Sequence, residues 1–110
     1  MDFIISGKNF KLTPSIKKYV QDKFSKLSKY WGKIIRARIE LKVDKAHKSG
    51  QLSGVDVVLE VPGPDIRAEQ KASEMHEAID LVMPKLERQL NKAKDKNLAR
   101  EKFNPPVLDL

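Results

Sequence analysis

The chain of 110 residues contains no cysteine. Disulfides, thiolate metal sites and cysteine nucleophiles are therefore excluded, and the composition is compatible with a reducing compartment. No stretch approaches the roughly 18 consecutive apolar residues of a membrane span, so no membrane partner is expected. The opening MDFIIS has no basic segment followed by a long apolar run, and no secretory leader is expected. Histidine is scarce. His47 lies in a lysine-rich stretch and reads as exposed; His76 lies just outside an apolar helical stripe and reads as structural. No HExxH, CxxC or glycine-rich phosphate loop occurs. These shortages argue against an enzyme. Nothing calls for a metal, a cofactor or a small-molecule substrate.

Acid is also in short supply, with 15 acidic side chains against 22 basic ones and a net charge of +7. Between residues 8 and 33, eight lysines stand against Asp22 alone, whereas residues 73–110 carry seven bases and seven acids. A concentrated excess of this kind attracts polyanions such as nucleic acid. With 40% hydrophobic and 34% charged residues, the chain has the composition of one globular domain.

What is there is regular. Residues 2–7 alternate as a short strand. Thr13-Pro14 reads as a cap and first position of a helix. Ile16, Val20, Phe24, Leu27 and Trp31 form its apolar stripe, Lys23, Lys26 and Lys29 flank that stripe, and Gly32 is a stop. Over 35–44, Ile35, Ala37, Ile39, Leu41 and Val43 alternate with charged residues, predicting a strand wet on one face. Residues 45–54 read as a polar loop. Strands are predicted at 55–61 and 66–72, joined by the turn Pro62-Gly63-Pro64-Asp65. The outer-face acids are expected to pair with neighbouring bases.

A second helix is predicted over 75–96, capped by Ser73. Met75, Ile79, Val82, Leu86, Leu90 and Ala93 share its apolar face. Pro84 is expected to kink or open it near Asp80. The order βαβββα predicts an α+β two-layer sandwich, a four-stranded sheet with two helices packed on one face; the first strand is expected to pair inside the sheet, with the strand order left open by the sequence. Residues 1–96 form the predicted domain, and 97–110 a flexible C-terminal tail.

On the second helix, Lys85, Arg88, Lys92 and Lys96 recur at steps of three, four and four and form a cationic stripe about 16 Å long at about 1.5 Å per residue. Arginine grips a phosphate with two hydrogen bonds and lysine acts as a point charge. Lys23, Lys26 and Lys29 supply a second row, and two rows in one helical layer suggest a cationic groove. Tyr30 is a candidate for base stacking; Trp31 reads as core. Such contacts position a protein on phosphates without reading sequence. A duplex-RNA binder and a protein-interaction regulator fit these features as alternatives.

Several of these segments carry a resemblance. AID at 78–80, KLERQLNK at 85–92, the following Lys94 and Lys96, the Leu12-Thr13-Pro14 start and the Lys23, Lys26, Lys29 spacing resemble the ribosome hibernation-promoting factor and ribosome-associated inhibitor family, also called sigma modulation or S30EA. The resemblance covers about residues 1–96. It implies a bacterial-type cytoplasmic factor that binds the small ribosomal subunit of intact ribosomes in the messenger and transfer RNA channel near the decoding site. Basic residues on both helices would contact rRNA: Lys23, Lys26, Lys29, Lys85, Arg88, Lys92 and Lys96. The implied mechanism is steric inhibition of translation and protection of idle ribosomes under stress or in stationary phase. Pro84 and His76 depart from the family's usual pattern. The chain reads as a short form without the family's additional C-terminal domain. Its effect on ribosome pairing and its self-association stay open.

Overall fold

The computed structural model describes residues 1–47 and 50–103, with side chains at 1–44 and 52–97. The elements run β1 (Asp2–Lys8), α1 (Pro14–Ser25), a 3-10 turn (Lys26–Lys29), β2 (Arg36–His47), β3 (Gly50–Glu60), β4 (Ile66–Ala72) and α2 (Met75–Phe103). The sheet order is β1-β2-β3-β4. β1 runs parallel to β2, and the other two pairings are antiparallel. The predicted α+β layering is present, and the strand order, which the sequence left open, puts β1 at an edge. The reason is connectivity: α1 is the crossover of a βαβ unit, while β2, β3 and β4 follow one another as hairpins.

Each boundary has a local cause. Thr13 Oγ1 accepts from the Ile16 amide at 3.2 Å, and Pro14 fills the first helical position. The α-helical turn stops at Ser25, short of the predicted Gly32. Ser25 and Ser28 hydroxyls donate to the Asp22 and Ser25 carbonyls at 3.0 and 2.9 Å, a local alternative to the helical ladder. The tighter turn still delivers Leu27 and Trp31 to the core beside Ile16, Val20 and Phe24. After β1 the chain reverses through Asn9, whose φ is 54°. A Cβ at Gly7 would collide with the Phe10 carbonyl, so only glycine fits that approach.

The stretch 45–54 is not a loop over most of its length. β2 reaches His47, β3 starts at Gly50, and the register continues through Asp44↔Leu52, Val43↔Ser53 and Lys42↔Gly54, with an irregularity between Asp44 and His47. Backbone pairing outlasts the side-chain alternation that marked the strand in sequence. At the other end of β2, Ile35 is 57% exposed and Ile34 is buried. The apolar face therefore begins at Ala37. Ile35 instead contributes backbone: its amide donates to Glu60 O at 2.8 Å and its carbonyl accepts from Asp2 N at 3.2 Å.

α2 begins one residue later than a Ser73 cap requires, since Glu74 directly precedes it and the Glu74 carbonyl accepts from Ala78 N at 3.0 Å. The helix runs across Pro84 to Phe103. Its predicted end at Lys96 is thus corrected: residues 97–103 of the predicted flexible tail are helical, and 104–110 lie outside the described residues. Pro84 removes the amide that would bond the Asp80 carbonyl, yet the apolar stripe continues past it. Ile79, Val82, Leu86 and Leu90 are fully buried against Ile39, Leu41, Val55, Val57 and Leu59 in one core. Each such side chain contributes about 1.5–3 kcal/mol by leaving water, which holds α2 at a fixed rotation over the sheet.

Candidate nucleic-acid interface

That rotation decides which side chains of α2 face which neighbour. On one flank lies the edge strand β4. Lys85 Nζ donates to the Glu69 carbonyl at 3.1 Å, and Gln89 Nε2 donates to the Arg67 carbonyl at 2.9 Å. Two alternate carbonyls of an edge strand are thereby satisfied by residues one helical turn apart. Lys92 and Lys96 continue along this side, where they border a groove with Pro62, Gly63, Pro64 and Ile66. Arg88 is exposed, and helical spacing turns it about 60° from Lys85, toward solvent. Among the described residues, none of these four bases has a carboxylate at ion-pair distance.

The opposite flank of α2 faces α1 and carries acid. Tyr19 Oη donates to Asp80 Oδ1 at 2.5 Å, and Lys23 Nζ lies 3.3 Å from the same oxygen. The hydrogen bond to Asp80 pushes the Tyr19 hydroxyl up to about 12. The same bond, with Lys23, holds the Asp80 carboxyl below its ordinary range. Lys23 also sits 5.6 Å above the Tyr19 ring, and His76 meets that ring edge-on at 4.6 Å. His76 Nδ1 lies 3.4 Å from Glu74. Further along, Lys26, Lys29 and Tyr30 border a groove with Met83, Pro84 and Glu87. The Glu87 charge raises the Tyr30 hydroxyl.

The two predicted basic rows therefore do not converge on one groove. Lys23 of α1 pairs with Asp80, Lys26 and Lys29 share a groove with Glu87, and the bases of α2 line its far side. Both rows remain in the helical layer. Sequence spacing separated acids from bases around α2 but carried no signal for which flank α1 would cover. Gln89 was missed, although it sits four residues after Lys85 on the same side. Tyr19 was also missed, because its partner lies 61 positions away.

The outer face of the sheet is internally neutralised, as its alternating pattern predicts. Glu60 lies 3.4 Å from Arg36 and 3.1 Å from Arg38; Arg38 also reaches Asp65 at 3.8 Å. Lys42 holds Asp56 at 2.8 Å, a bond that raises the Lys42 ammonium. Surface pairs of this kind contribute little stability, but they leave that face with little net field. Among the described residues no cluster of His, Asp or Glu is arranged to hold a metal, and no helix is long and apolar enough to cross a membrane.

The family model described as Sigma 54 modulation protein / S30EA ribosomal protein matches residues 3–98. The ribosome hibernation promoting factor of Escherichia coli is 36% identical over 96 residues, covering 87% of this chain and 96% of that protein. The ribosome hibernation promotion factor of Deinococcus radiodurans is 36% identical over 102 residues, and this chain spans 53% of its length. Among solved structures, a ribosomal subunit interface protein from Coxiella burnetii superposes with a TM-score of 0.77 at 25% identity, covering 86% of this chain and 99% of that one. The N-terminal domain of Thermus thermophilus Protein Y gives 0.73 at 26% identity, covering 84% and 98%.

Proposed function

The chain belongs to the Sigma 54 modulation protein / S30EA ribosomal protein family, and from that premise we propose that it is a cytoplasmic ribosome hibernation factor binding the small ribosomal subunit through rRNA phosphates. The observation that carries the reading is the flank of α2 bearing Lys85, Lys92 and Lys96, with Arg88 beside it. Charge there is ordered by one helix and offset by no carboxylate among the described residues. About 16 Å of helix at about 1.5 Å per residue spans several phosphates of a folded RNA. Lys26 and Lys29 add a second contact, with Lys23 shared with Asp80. The names of the relatives supply the partner, and the stripe supplies the physical means.

The mechanism needs no chemistry. A rigid two-layer domain seated in the messenger and transfer RNA channel near the decoding site excludes both RNAs by volume. An intact ribosome so occupied does not initiate and is preserved while idle under stress. Electrostatic attraction to phosphate brings the protein in, and shape complementarity to folded rRNA gives the specificity that phosphate contacts lack.

Sedimentation through a gradient tests this. The purified protein is expected to travel with small subunits at low salt and to be released as salt rises, because phosphate contacts free counterions. Reversal of Lys85, Arg88 and Lys92 to Glu is expected to abolish association while the folded spectrum is retained. A triple variant that still sediments fully refutes the site. A wild-type protein that stays at the top at every salt, yet binds free duplex RNA, refutes the ribosome reading.

A further inference from the structure

Resting on that reading, we propose that the groove between α2 and the β3–β4 turn takes up a single unstacked base of the bound RNA, with its phosphates on Lys92 and Lys96. The groove encloses about 330 Å³, within the range of small-ligand sites. Its floor is apolar, formed by buried Ile66 and half-buried Ala93. The exposed rings of Pro62 and Pro64 border it. Gly63, at φ 94°, turns the chain between them and adds no side chain. Two lysines one helical turn apart mark one rim.

The polar groups are those a base edge requires. Gln89 has its amide nitrogen fixed on the Arg67 carbonyl at 2.9 Å, which sets the plane of the amide. Asn97 supplies a second amide at the far end. Amides pair with the donors and acceptors of a base, and every base has a face that an apolar wall covers. The nearest carboxylate on the turn, Asp65, is drawn to Arg38 on the other side of the sheet. Phosphate therefore meets no acid among the lining residues. The groove on the α1 side differs in this respect, since Asp80 and Glu87 line it. An aliphatic pocket with two amides accepts bases broadly, so the site adds grip on single-stranded RNA rather than strict sequence choice.

The test is a titration of isotope-labelled protein, followed by amide NMR, with an adenosine trinucleotide and with its abasic counterpart at equal ionic strength. The expected result is a shift of the Gly63, Ile66, Ala93 and Asn97 amides that is at least severalfold larger with the base-containing strand. Ala93→Leu, which fills the groove from its half-buried floor without changing its charge, is expected to remove that difference. Equal shifts from both strands overturn the proposal, as does a base-dependent response confined to other surfaces. These outcomes separate from those for the ribosome. Base-independent binding in a protein that still sediments with small subunits sinks the groove alone. Base-dependent shifts in a protein that never sediments with them sink the ribosome reading alone.

Discussion

On the β4 flank of α2, the basic side chains meet backbone carbonyls, a proline-bordered groove and solvent. On the α1 flank, Lys23 pairs with Asp80 across the helix pair, and Lys26 and Lys29 share a groove with Glu87. Both flanks carry lysine, so counting lysines does not separate them. What separates them is the element across from each. Residues 73–110 have no net charge by count, yet the β4 side of α2 carries bases with no carboxylate at ion-pair distance among the described residues, while Asp80 and Glu87 lie on the side toward α1. On the α1 flank Lys23 helps to join the two helices through Asp80; on the β4 flank the bases have no carboxylate partner among the described residues, which is the ground for proposing it as the phosphate surface.

The largest expected effect abolishes the comparison altogether. Leu86 is fully buried beneath both flanks. Leu86→Ala is expected to cost about 2–5 kcal/mol, seen as a lower urea midpoint with an unchanged slope. A cost below about 1 kcal/mol would mean that α2 is not fixed in rotation by its core stripe.

A smaller change unties one flank. Asp80→Ala removes the acceptor of Tyr19 and the partner of Lys23, and is expected to destabilise by about 1 kcal/mol, discounted for the exposure of the pair. Ultraviolet absorbance should show the Tyr19 transition fall from about 12 toward its ordinary 10.0. The signs of the two groups oppose. Asp80 is depressed on folding, so its contribution is complete above the ordinary 3.8 and is lost as acid carries the pH down through its folded value. Tyr19 is raised, so its contribution is complete below 10.0 and is lost as the pH climbs through about 12. The tie therefore holds across the neutral range. An unchanged Tyr19 titration in Asp80→Ala would disprove the bond.

The smallest effect separates two roles of one residue. Lys85 satisfies a carbonyl and also carries charge. Lys85→Gln keeps a donor and removes the charge. Stability is expected to stay within about 0.5 kcal/mol, while the logarithmic salt dependence of ribosome binding falls by about one. A large loss of stability with an unchanged salt dependence would make Lys85 an edge-strand cap and nothing more.

Much of this was legible in the sequence because periodicity survives into the fold. The stripe Ile79, Val82, Leu86, Leu90 and the alternation Ala37, Ile39, Leu41, Val43 located the core directly. What failed were features governed by neighbours that local pattern does not report. The hairpin arms around Lys42↔Gly54 are held by backbone pairing where side chains cease to alternate. Ile35 lies outside the pleat because it closes the entry to β2. The edge position of β1 follows from connectivity. The composition of the candidate site was readable, but its geometry was not, since only docking against α1 and β4 decides which bases lie beside acids.

The most direct measurement compares the flanks in one assay. The salt dependence of small-subunit binding is recorded for Lys85→Gln/Arg88→Gln/Lys92→Gln and for Lys23→Gln/Lys26→Gln/Lys29→Gln. The account predicts that the first variant loses about three units of logarithmic slope and the second about two or fewer, because Lys23 is already offset by Asp80. An equal or larger loss in the second variant would contradict the claim that the β4 flank of α2 is the principal phosphate surface.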